Sequence, residues 1–192
     1  MKKIFLILAT ISGACGGSTN TYSEPIEGSQ IPPNAIVSDY QGRQGLQKVT
    51  LRSDEITIGE GDFLDGLYHG TWTAYDTHGK VQSITTYLNG KKQGVELVFD
   101  NLGYVETKAY YNDDVLNGEY LIYKRRNIVE RKNYSNGVLS GLQQKFYVDG
   151  KTMEESNYEN GKIHGLAKWY DQEGNLKIEY EYDMGELISD GS

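Results

Sequence analysis

From residue 63 onwards the chain repeats a short pattern about every 24 residues. Residues 87–99 read YLNGKKQGVELVF and residues 158–170 read YENGKIHGLAKWY, with aromatic residues and glycines at matching places. A fixed period of this length is typical of repeat proteins, in which one supersecondary unit stacks on the next. The repeat therefore constrains the fold more than any other feature of the sequence.

Five positions recur in each copy of the repeat. The leading aromatic residues are Phe63, Tyr87, Tyr111, Tyr134, Tyr158 and Tyr182. A first turn glycine follows, and the second glycines are Gly70, Gly94, Gly118, Gly141 and Gly165. The closing aromatic residues are Tyr75, Phe99, Tyr123, Phe146 and Tyr170, each followed by a closing turn that ends in glycine in most copies. In the third copy Asp114 and Asn127 replace the two turn glycines, and both are predicted to take a positive φ, because Asp and Asn tolerate the left-handed region.

Each copy contains two turns and two predicted strands. Asn-Gly pairs, as at 89–90, favour two-residue hairpin turns, and closing turns such as YDTHG suit a type I turn that ends in a left-handed residue. A turn about every twelve residues leaves no room for helices. The sequence predicts an all-β, elongated, single-layer antiparallel β-hairpin array of about 10–12 strands. Residues 46–62 are its predicted N-terminal capping hairpin, and residues 63–192 are five full copies and a partial one.

A single layer buries little surface, so cross-strand side-chain pairs are expected to stabilise it. If the leading and closing aromatic residues share a face, they form a continuous ladder of rings, which we predict to be a structural spine. The second glycine is expected where these rings pack against backbone. Positions two and four after that glycine vary between copies, and this variable face is the predicted recognition surface. Its candidate binding residues are Trp72, Tyr120, Ile122 and Trp169.

The N-terminus reads MKKIFLILATISGACGG, which is typical of an export signal, predicted here as residues 1–14. Its apolar run is too short to span a bilayer. Ordinary signal cleavage before Cys15 is one alternative. In the other, a small residue before the chain's single cysteine resembles the lipobox of bacterial lipoproteins. We interpret Cys15 as a lipid attachment point and residues 15–45 as a flexible tether.

Without residues 1–14 the chain has 17 basic and 27 acidic residues, a net charge of −10. This charge argues against nucleic acid and anionic membrane as partners. One basic segment, KRRNIVERK at 124–132, interrupts the acidic surface. It is either a solvated hairpin tip or a patch for an acidic partner. Its cations are Lys124, Arg125, Arg126, Arg131 and Lys132.

Catalytic and metal-binding patterns are weak in this sequence. His69 and His164 hold the same place in copies one and five, about 40 Å apart in the predicted array, so they do not share a metal. His78 lies in a turn. The acidic pairs Asp113–Asp114 and Glu154–Glu155 have no partner base, and neither a nucleophile elbow nor a phosphate loop is present. We expect no enzyme activity, no metal and no cofactor.

The phrase YxNGKxxGxxxxYxxxG resembles the MORN repeat, in particular the variant of bacterial proteins often described as antitoxin-like, and the likeness covers residues 63–189. The resemblance implies an open array of β-hairpins that serves as a binding scaffold without catalysis. The typical eukaryotic repeat has a Gly-x-Gly where this chain has Gly94 followed by Val95, and its second strand is shorter. Lipid binding is therefore not carried over from such relatives. An antitoxin role is not carried over either, because the export signal places the chain outside the cytoplasm.

We expect an exported, non-catalytic binding scaffold, held at the bacterial outer membrane or cell surface as a lipoprotein, or periplasmic or secreted if Cys15 carries no lipid. The expected partner is a protein at the envelope. The alternative is a module that binds cell-wall polymer or another glycan, because Trp and Tyr stack on sugars. Glycan binding predicts shallow aromatic pockets at each repeat boundary, whereas a protein scaffold offers one continuous surface.

Overall fold

The structure is a computed structural model that describes residues 28–189. Fifteen antiparallel strands in this part of the chain form one open sheet, and none of these residues is helical. The predicted all-β hairpin array is therefore confirmed. In chain order the strands are β1 (Ile36–Asp39), β2 (Leu46–Ser53), β3 (Ile56–Leu64), β4 (Leu67–Tyr75), β5 (Val81–Leu88), β6 (Lys91–Phe99), β7 (Val105–Asn112), β8 (Val115–Lys124), β9 (Asn127–Ser135), β10 (Val138–Leu139), β11 (Gly141–Phe146), β12 (Thr152–Glu159), β13 (Lys162–Tyr170), β14 (Leu176–Asp183) and β15 (Glu186–Ser189).

Neighbouring strands in the sheet follow the order of the chain, except that the short β10 pairs only with β9 while β11 continues the sheet. Three strands raise the number above the predicted 10–12. They are β1, β15, and the extra strand that results from the division of one predicted strand at Ser140. The predicted capping segment 46–62 lies on β2 and most of β3, which pair as a hairpin.

Residues 28–45, which the sequence assigned to the flexible tether, contribute to the sheet. β1 pairs with β2, and Gln30 donates a backbone hydrogen bond to the Gly66 carbonyl at 2.8 Å. This part of the predicted tether is therefore ordered, because its apolar residues pack against buried side chains of the sheet. Residues 1–27, with the predicted signal peptide and Cys15, lie outside the described residues.

Backbone hydrogen bonds join the leading turns of successive copies. The Gly90 amide donates to the Tyr68 carbonyl at 2.8 Å. The same bond recurs at Asp114→Lys92, Gly137→Leu116, Gly161→Leu139 and Gly185→Ile163, with lengths of 2.8–3.0 Å. We call this series the turn ladder. Asp114 has a φ of 69°, which confirms it as a left-handed replacement for glycine.

The prediction for Asn127 is wrong. Arg125, not Asn127, takes the left-handed conformation in this turn, with a φ of 62°. Asn127 instead begins β9 and pairs with Lys124, because the third copy closes through the two residues 125–126. Other copies use a longer closing turn, as in the first, where the Asp76 amide donates to the Lys80 carbonyl.

The second glycine of each copy has a positive φ, from 71° at Gly70 to 119° at Gly118. At Gly70 and Gly94 the register with the preceding strand shifts, so the glycine lies in a β-bulge. A Cβ added to Gly141 or Gly165 would meet no atom within 4 Å. Backbone conformation therefore requires these glycines, and the predicted close packing of rings does not explain them.

The strand register separates the aromatic residues onto two faces. Gly70 pairs with Tyr87 and Trp72 pairs with Thr85, so the leading aromatic residues share a face with position two after the second glycine. We call this the leading face. Tyr75 lies on the opposite, closing face, where its hydroxyl donates a 2.7 Å hydrogen bond to Glu60. The predicted ladder of leading and closing rings is wrong. No ring pair among the described residues joins a leading aromatic residue to a closing one.

The main hydrophobic cluster lies on the leading face at the N-terminal end of the sheet. Val49 and Phe63 are fully buried, and Trp72 is 9% exposed. A Cβ added to Gly59 would lie 2.6 Å from the Trp72 ring, so the glycine makes room for the indole. Ile31, Ala35, Val37, Leu51, Tyr68 and Tyr87 pack around this cluster.

Candidate functional site

A stripe of aromatic and aliphatic side chains follows the leading face beside the leading turns. In each copy the leading aromatic residue pairs with the residue two positions after the first turn glycine, as Tyr158 pairs with Ile163. Directly paired residues of neighbouring strands point to the same face. We call the whole set the aromatic stripe: Phe63, Tyr68, Tyr87, Lys92, Tyr111, Leu116, Tyr134, Leu139, Tyr158, Ile163, Tyr182 and Leu187.

The first part of the stripe is closely packed. The rings of Tyr68 and Tyr87 stack with centroids 4.8 Å apart, and Trp72 meets Tyr68 edge-on at 5.1 Å. Offset and edge-on ring pairs of this kind contribute about 0.5–1.5 kcal/mol beyond the surface they bury. Burial is the main cause that raises the pKa of Tyr68 and of Tyr87. The N-terminal end of the stripe is therefore part of the core.

Residues 29–35 cover this first part of the stripe. Ile31 and Ala35 pack against the hydrophobic cluster. The Gln30 side chain bridges two leading turns, since its Oε1 accepts from the Tyr68 amide at 3.2 Å and its Nε2 donates to the Gly90 carbonyl at 3.3 Å. The surface beside the turns thus accommodates a polypeptide segment through both apolar contacts and backbone hydrogen bonds.

A charged group interrupts the stripe in the second copy. The Lys92 ammonium lies 2.5 Å from a Glu96 carboxylate oxygen and 4.8 Å from the centre of the Tyr111 ring. Thr85 donates a 3.2 Å hydrogen bond to the same carboxylate. Burial, with the nearby Glu96 carboxylate, raises the pKa of Tyr111 to about 12. The Lys92 ammonium and the Glu96 carboxylate therefore both have partners. Together with Tyr111 they form a stabilising contact between the second and third copies.

The structure places the four predicted binding residues on the leading face. Trp72 is buried in the hydrophobic cluster, so it is a packing residue and not an exposed contact, because Gly59 and Gly61 leave a space that the indole fills. Tyr120, Ile122 and Trp169 are half-buried on this face. Tyr120 meets Tyr134 edge-on at 6.2 Å, and Trp169 meets Tyr180 at 5.7 Å.

Sequence reasoning missed the stripe because it assigned the leading aromatic residues to a structural spine. The signal that would have found it is the residue two positions after each first turn glycine. That residue is aromatic or aliphatic in most copies: Tyr68, Leu116, Leu139, Ile163 and Leu187. The predicted variable face and the leading aromatic residues are in fact one surface.

The predicted basic patch is divided. Lys124, Arg125 and Arg126 are exposed at the tip of the β8–β9 hairpin. Arg131 and Lys132 are successive residues of β9, so they point to opposite faces. Each is already paired: Arg131 lies 3.3 Å from Glu119 and 5.8 Å from the centre of the Phe146 ring, and Lys132 lies 3.2 Å from Glu130. The exposed part of the predicted patch is the hairpin tip, where Arg126 lies 5.4 Å from the centre of the Tyr104 ring.

Within residues 28–189 the candidate catalytic and metal-binding side chains do not converge on one site. No group of three or more His, Cys, Asp and Glu side chains there could hold a metal ion. His164 lies between Glu159 and Asp183, at 3.7 and 3.3 Å, far along the sheet from His69, and His78 lies in the first closing turn, 3.9 Å from the Asp76 carboxylate.

The two acidic pairs are engaged in local structure. Asp114 accepts a 2.7 Å hydrogen bond from the Lys92 amide, and Lys91 lies 3.8 Å from Asp113. Glu154 pairs with Lys145 at 2.9 Å, whereas the next residue, Glu155, accepts from the Tyr170 hydroxyl on the other face. Neither pair forms a convergent acid–base site. Residues 28–189 also contain no helix long and apolar enough to cross a membrane.

Comparison with known families gives two short matches. Residues 68–89 and 163–184 match the MORN repeat variant. Both matches begin at a stripe residue, Tyr68 or Ile163, and end directly before a turn glycine, so they cover the same part of copies one and five. MORN repeats are often involved in binding and scaffolding, and the family is generally non-catalytic. No curated protein shows significant similarity to this chain.

Proposed function

We propose that this chain is a non-catalytic binding scaffold of the bacterial envelope or cell surface, and that the aromatic stripe binds a segment of a partner protein. The observation that carries the proposal is the position of residues 29–35 on the first part of the stripe. The chain itself thus provides an example of a polypeptide bound at this surface. The signal-like N-terminus and Cys15 support export and a lipid anchor.

A protein partner suits the chemistry of the stripe. Along its edge the leading turns repeat the same backbone arrangement, and Gln30 shows that an amide at this edge can both donate to a turn carbonyl and accept from a strand amide. The rings and aliphatic side chains beside the turns add apolar contact. Aromatic residues with adjacent hydrogen-bonding groups are typical of protein interfaces.

The glycan alternative has less support. One cleft, of about 120 Å³, lies at the fourth copy and has Tyr158 as the single ring in its lining. Another, of about 350 Å³, lies near the first closing turn and has Phe99 as its single ring. A module that stacks sugars would place several rings in a pocket that recurs from copy to copy, whereas these two clefts differ in place and lining.

Photo-crosslinking from the two faces tests the proposal. A photoreactive amino acid replaces Tyr158 on the stripe of the full chain in its native cells, and the matched control carries it in place of Tyr123, a half-buried tyrosine of the closing face. We expect protein adducts from position 158 and few from position 123. Equal adducts from both positions, or adducts to wall polymer alone, would contradict the proposal.

A second experiment tests the anchor. Cys15→Ser should move the chain from the membrane fraction to the soluble fraction after cell lysis, because one acyl-linked cysteine would be lost. Ser12→Ala is the matched control within the same segment. Retention of the Cys15→Ser chain in the membrane fraction would contradict lipid attachment at this residue.

A further inference from the structure

We propose that the fifth copy of the aromatic stripe docks a partner segment in which a side-chain amide is followed directly by a branched aliphatic residue. This inference rests on the proposed function and names the chemistry of its partner. The Gln30–Ile31 pair of this chain is the template: the amide bridges two turns, and Ile31 packs on the hydrophobic cluster. The same receiving geometry recurs near the C-terminal end of the sheet.

The backbone that receives Gln30 is reproduced in the fifth copy. In the first copy the Gly90 amide donates to the Tyr68 carbonyl at 2.8 Å, and Gln30 bridges the Tyr68 amide and the Gly90 carbonyl. In the fifth copy the Gly185 amide donates to the Ile163 carbonyl, also at 2.8 Å. The Ile163 amide and the Gly185 carbonyl therefore occupy the places that Gln30 contacts in the first copy.

In the second copy the chain itself fills the equivalent place. Asp114 accepts a 2.7 Å hydrogen bond from the Lys92 amide, as Gln30 does from Tyr68. The carboxylate leaves no amide there for a partner. A segment that enters this place would have to displace Asp114 from the turn ladder.

In the third and fourth copies a valine crowds the turn glycine. A Cβ on Gly137 would lie 3.2 Å from Val115, and one on Gly161 would lie 3.2 Å from Val138. At Gly185 the nearest atoms belong to the flexible stem of Lys162, at 3.8 Å. A long side chain of this kind moves aside at low cost. The fifth copy is therefore the more accessible receiver.

Apolar side chains at the fifth copy can receive the branched aliphatic residue. Tyr182 and Tyr180 meet edge-on at 6.5 Å, and Trp169 continues the group. Leu187, beside Tyr182 in the register, is 53% exposed. In the first copy Tyr68 and Tyr87, which correspond to Ile163 and Tyr182, pack together with Ile31 around the hydrophobic cluster. Burying such a surface removes apolar area from water and so favours association.

Charge near this site selects against acidic partners. The Glu159 and Asp183 side chains are 57% and 63% exposed and lie beside the same leading turns. The His164 ring lies 3.7 Å from the Glu159 carboxylate and 3.3 Å from that of Asp183. Carboxylates at the rim of an interface disfavour like-charged partners and so contribute to specificity. The docking segment is expected to be neutral or basic.

A peptide with the sequence of residues 28–37, GSQIPPNAIV, is the probe, and the full chain is its receptor. We expect measurable binding by fluorescence anisotropy. Changing the peptide's glutamine to alanine should weaken binding about tenfold, because two hydrogen bonds to backbone groups are lost. Ile163→Ser in the receptor should weaken it by a similar factor, and the matched change Leu139→Ser in the fourth copy should have less than about a twofold effect.

Crosslinking on the unmodified chain gives a readout that does not depend on whether a variant folds. A photoreactive group at the isoleucine of the peptide should label residues 158–189. Labelling of residues 63–87 instead would mean that the peptide exchanges with the chain's own segment, and this would overturn the docking site. Absence of binding up to about 1 mM would overturn it as well.

Different results would contradict the scaffold function and the docking site. If the peptide does not bind but position 158 captures a partner in cells, the scaffold function stands and the amide–aliphatic specificity is wrong. If the peptide binds at the fifth copy but position 158 captures no protein, the docking chemistry stands without a cellular partner. If neither result is obtained, both proposals are wrong.

Discussion

The Tyr75 hydroxyl donates a 2.7 Å hydrogen bond to Glu60, and Tyr170 makes the same bond with Glu155 four copies later. In the fourth copy the closing aromatic residue is Phe146, and the facing residue is Arg131, whose guanidinium lies 5.8 Å from the ring centre. In the first and fifth copies a carboxylate thus accepts the hydroxyl hydrogen of the closing tyrosine, whereas in the fourth copy a cation lies over the ring of the closing phenylalanine. The closing face carries these copy-specific pairs between strands.

The Tyr170–Glu155 pair predicts a loss of stability at alkaline pH. The hydrogen bond to Glu155 is the main cause that raises the pKa of Tyr170 to about 12 from an ordinary value of 10.0. Because the folded chain holds this proton more tightly, the contribution is fully present below pH 10 and is lost as the pH rises towards 12. Tyr170→Phe should flatten the fall in unfolding free energy over this window, as measured by denaturant titration at several pH values.

Tyr123→Phe is the control for this experiment, since Tyr123 is a closing aromatic residue whose facing position is Lys108 and not a carboxylate. A change in alkaline slope that is equal in both variants would contradict the assignment to Glu155.

The two tryptophans should contribute unequally to stability. Trp72 is 9% exposed in the hydrophobic cluster, whereas Trp169 is half-buried beside Tyr180. Trp72→Ala is expected to cost about 3–5 kcal/mol, as for other buried aromatic truncations. Trp169→Ala should cost clearly less. Chemical denaturation of both variants measures the difference, and equal losses would show that the hydrophobic cluster is not the centre of stability.

Gly165 tests why the second glycine recurs. Its φ is 81°, and a Cβ there would meet no atom within 4 Å. Gly165→Ala should therefore cost about 1–2 kcal/mol through backbone strain alone, and Gly165→Asn should cost less, because asparagine tolerates the left-handed region. Thermal or chemical unfolding gives the order. If asparagine destabilises more than alanine, side-chain volume is the cause and the backbone explanation is wrong.

Arg125 offers a stabilising substitution. Its φ of 62° is strained for a residue with a Cβ, so Arg125→Gly should raise the unfolding free energy by about 0.5–1 kcal/mol. The neighbouring Arg126→Gly is the control. Arg126 lies 5.4 Å from the centre of the Tyr104 ring, and its loss should lower stability. A reversed order in denaturant unfolding would exclude strain at Arg125.

Much of the fold could be predicted from the sequence, because the turn residues recur at a fixed spacing. Asp114 takes a positive φ, as its place in the repeat predicts. β1 could not be predicted in the same way, since residues 36–39 follow a stretch rich in Pro, Gly and Ser and lie outside the repeat. That strand forms because β2 offers a free edge and the neighbouring cluster offers an apolar surface.

The faces of the candidate site were harder to predict. In an ideal strand the face follows from counting alternate residues. Here the register shifts at the second glycine, as between Thr85 and Tyr87, and shifts again before the closing turn, between Ala74 and Tyr75. The first shift sets two residues against four and keeps the alternation of faces, whereas the second sets one residue against two and changes it. The conflict between the predicted spine and the observed stripe arises from the shift before the closing turn.

The turn ladder also has a consequence for how such a chain can change in length over evolution. Each copy donates one amide to the copy before it, as Gly161 donates to Leu139, and offers one carbonyl to the copy after it, as Ile163 offers its oxygen to Gly185. Gain or loss of a whole copy therefore leaves every donor with an acceptor. A deletion of half a copy would bring a closing turn against a leading turn. The backbone amides and carbonyls at the new junction would then not face each other as they do in the turn ladder. The protein is built so that duplication and deletion of entire units are tolerated genetic events.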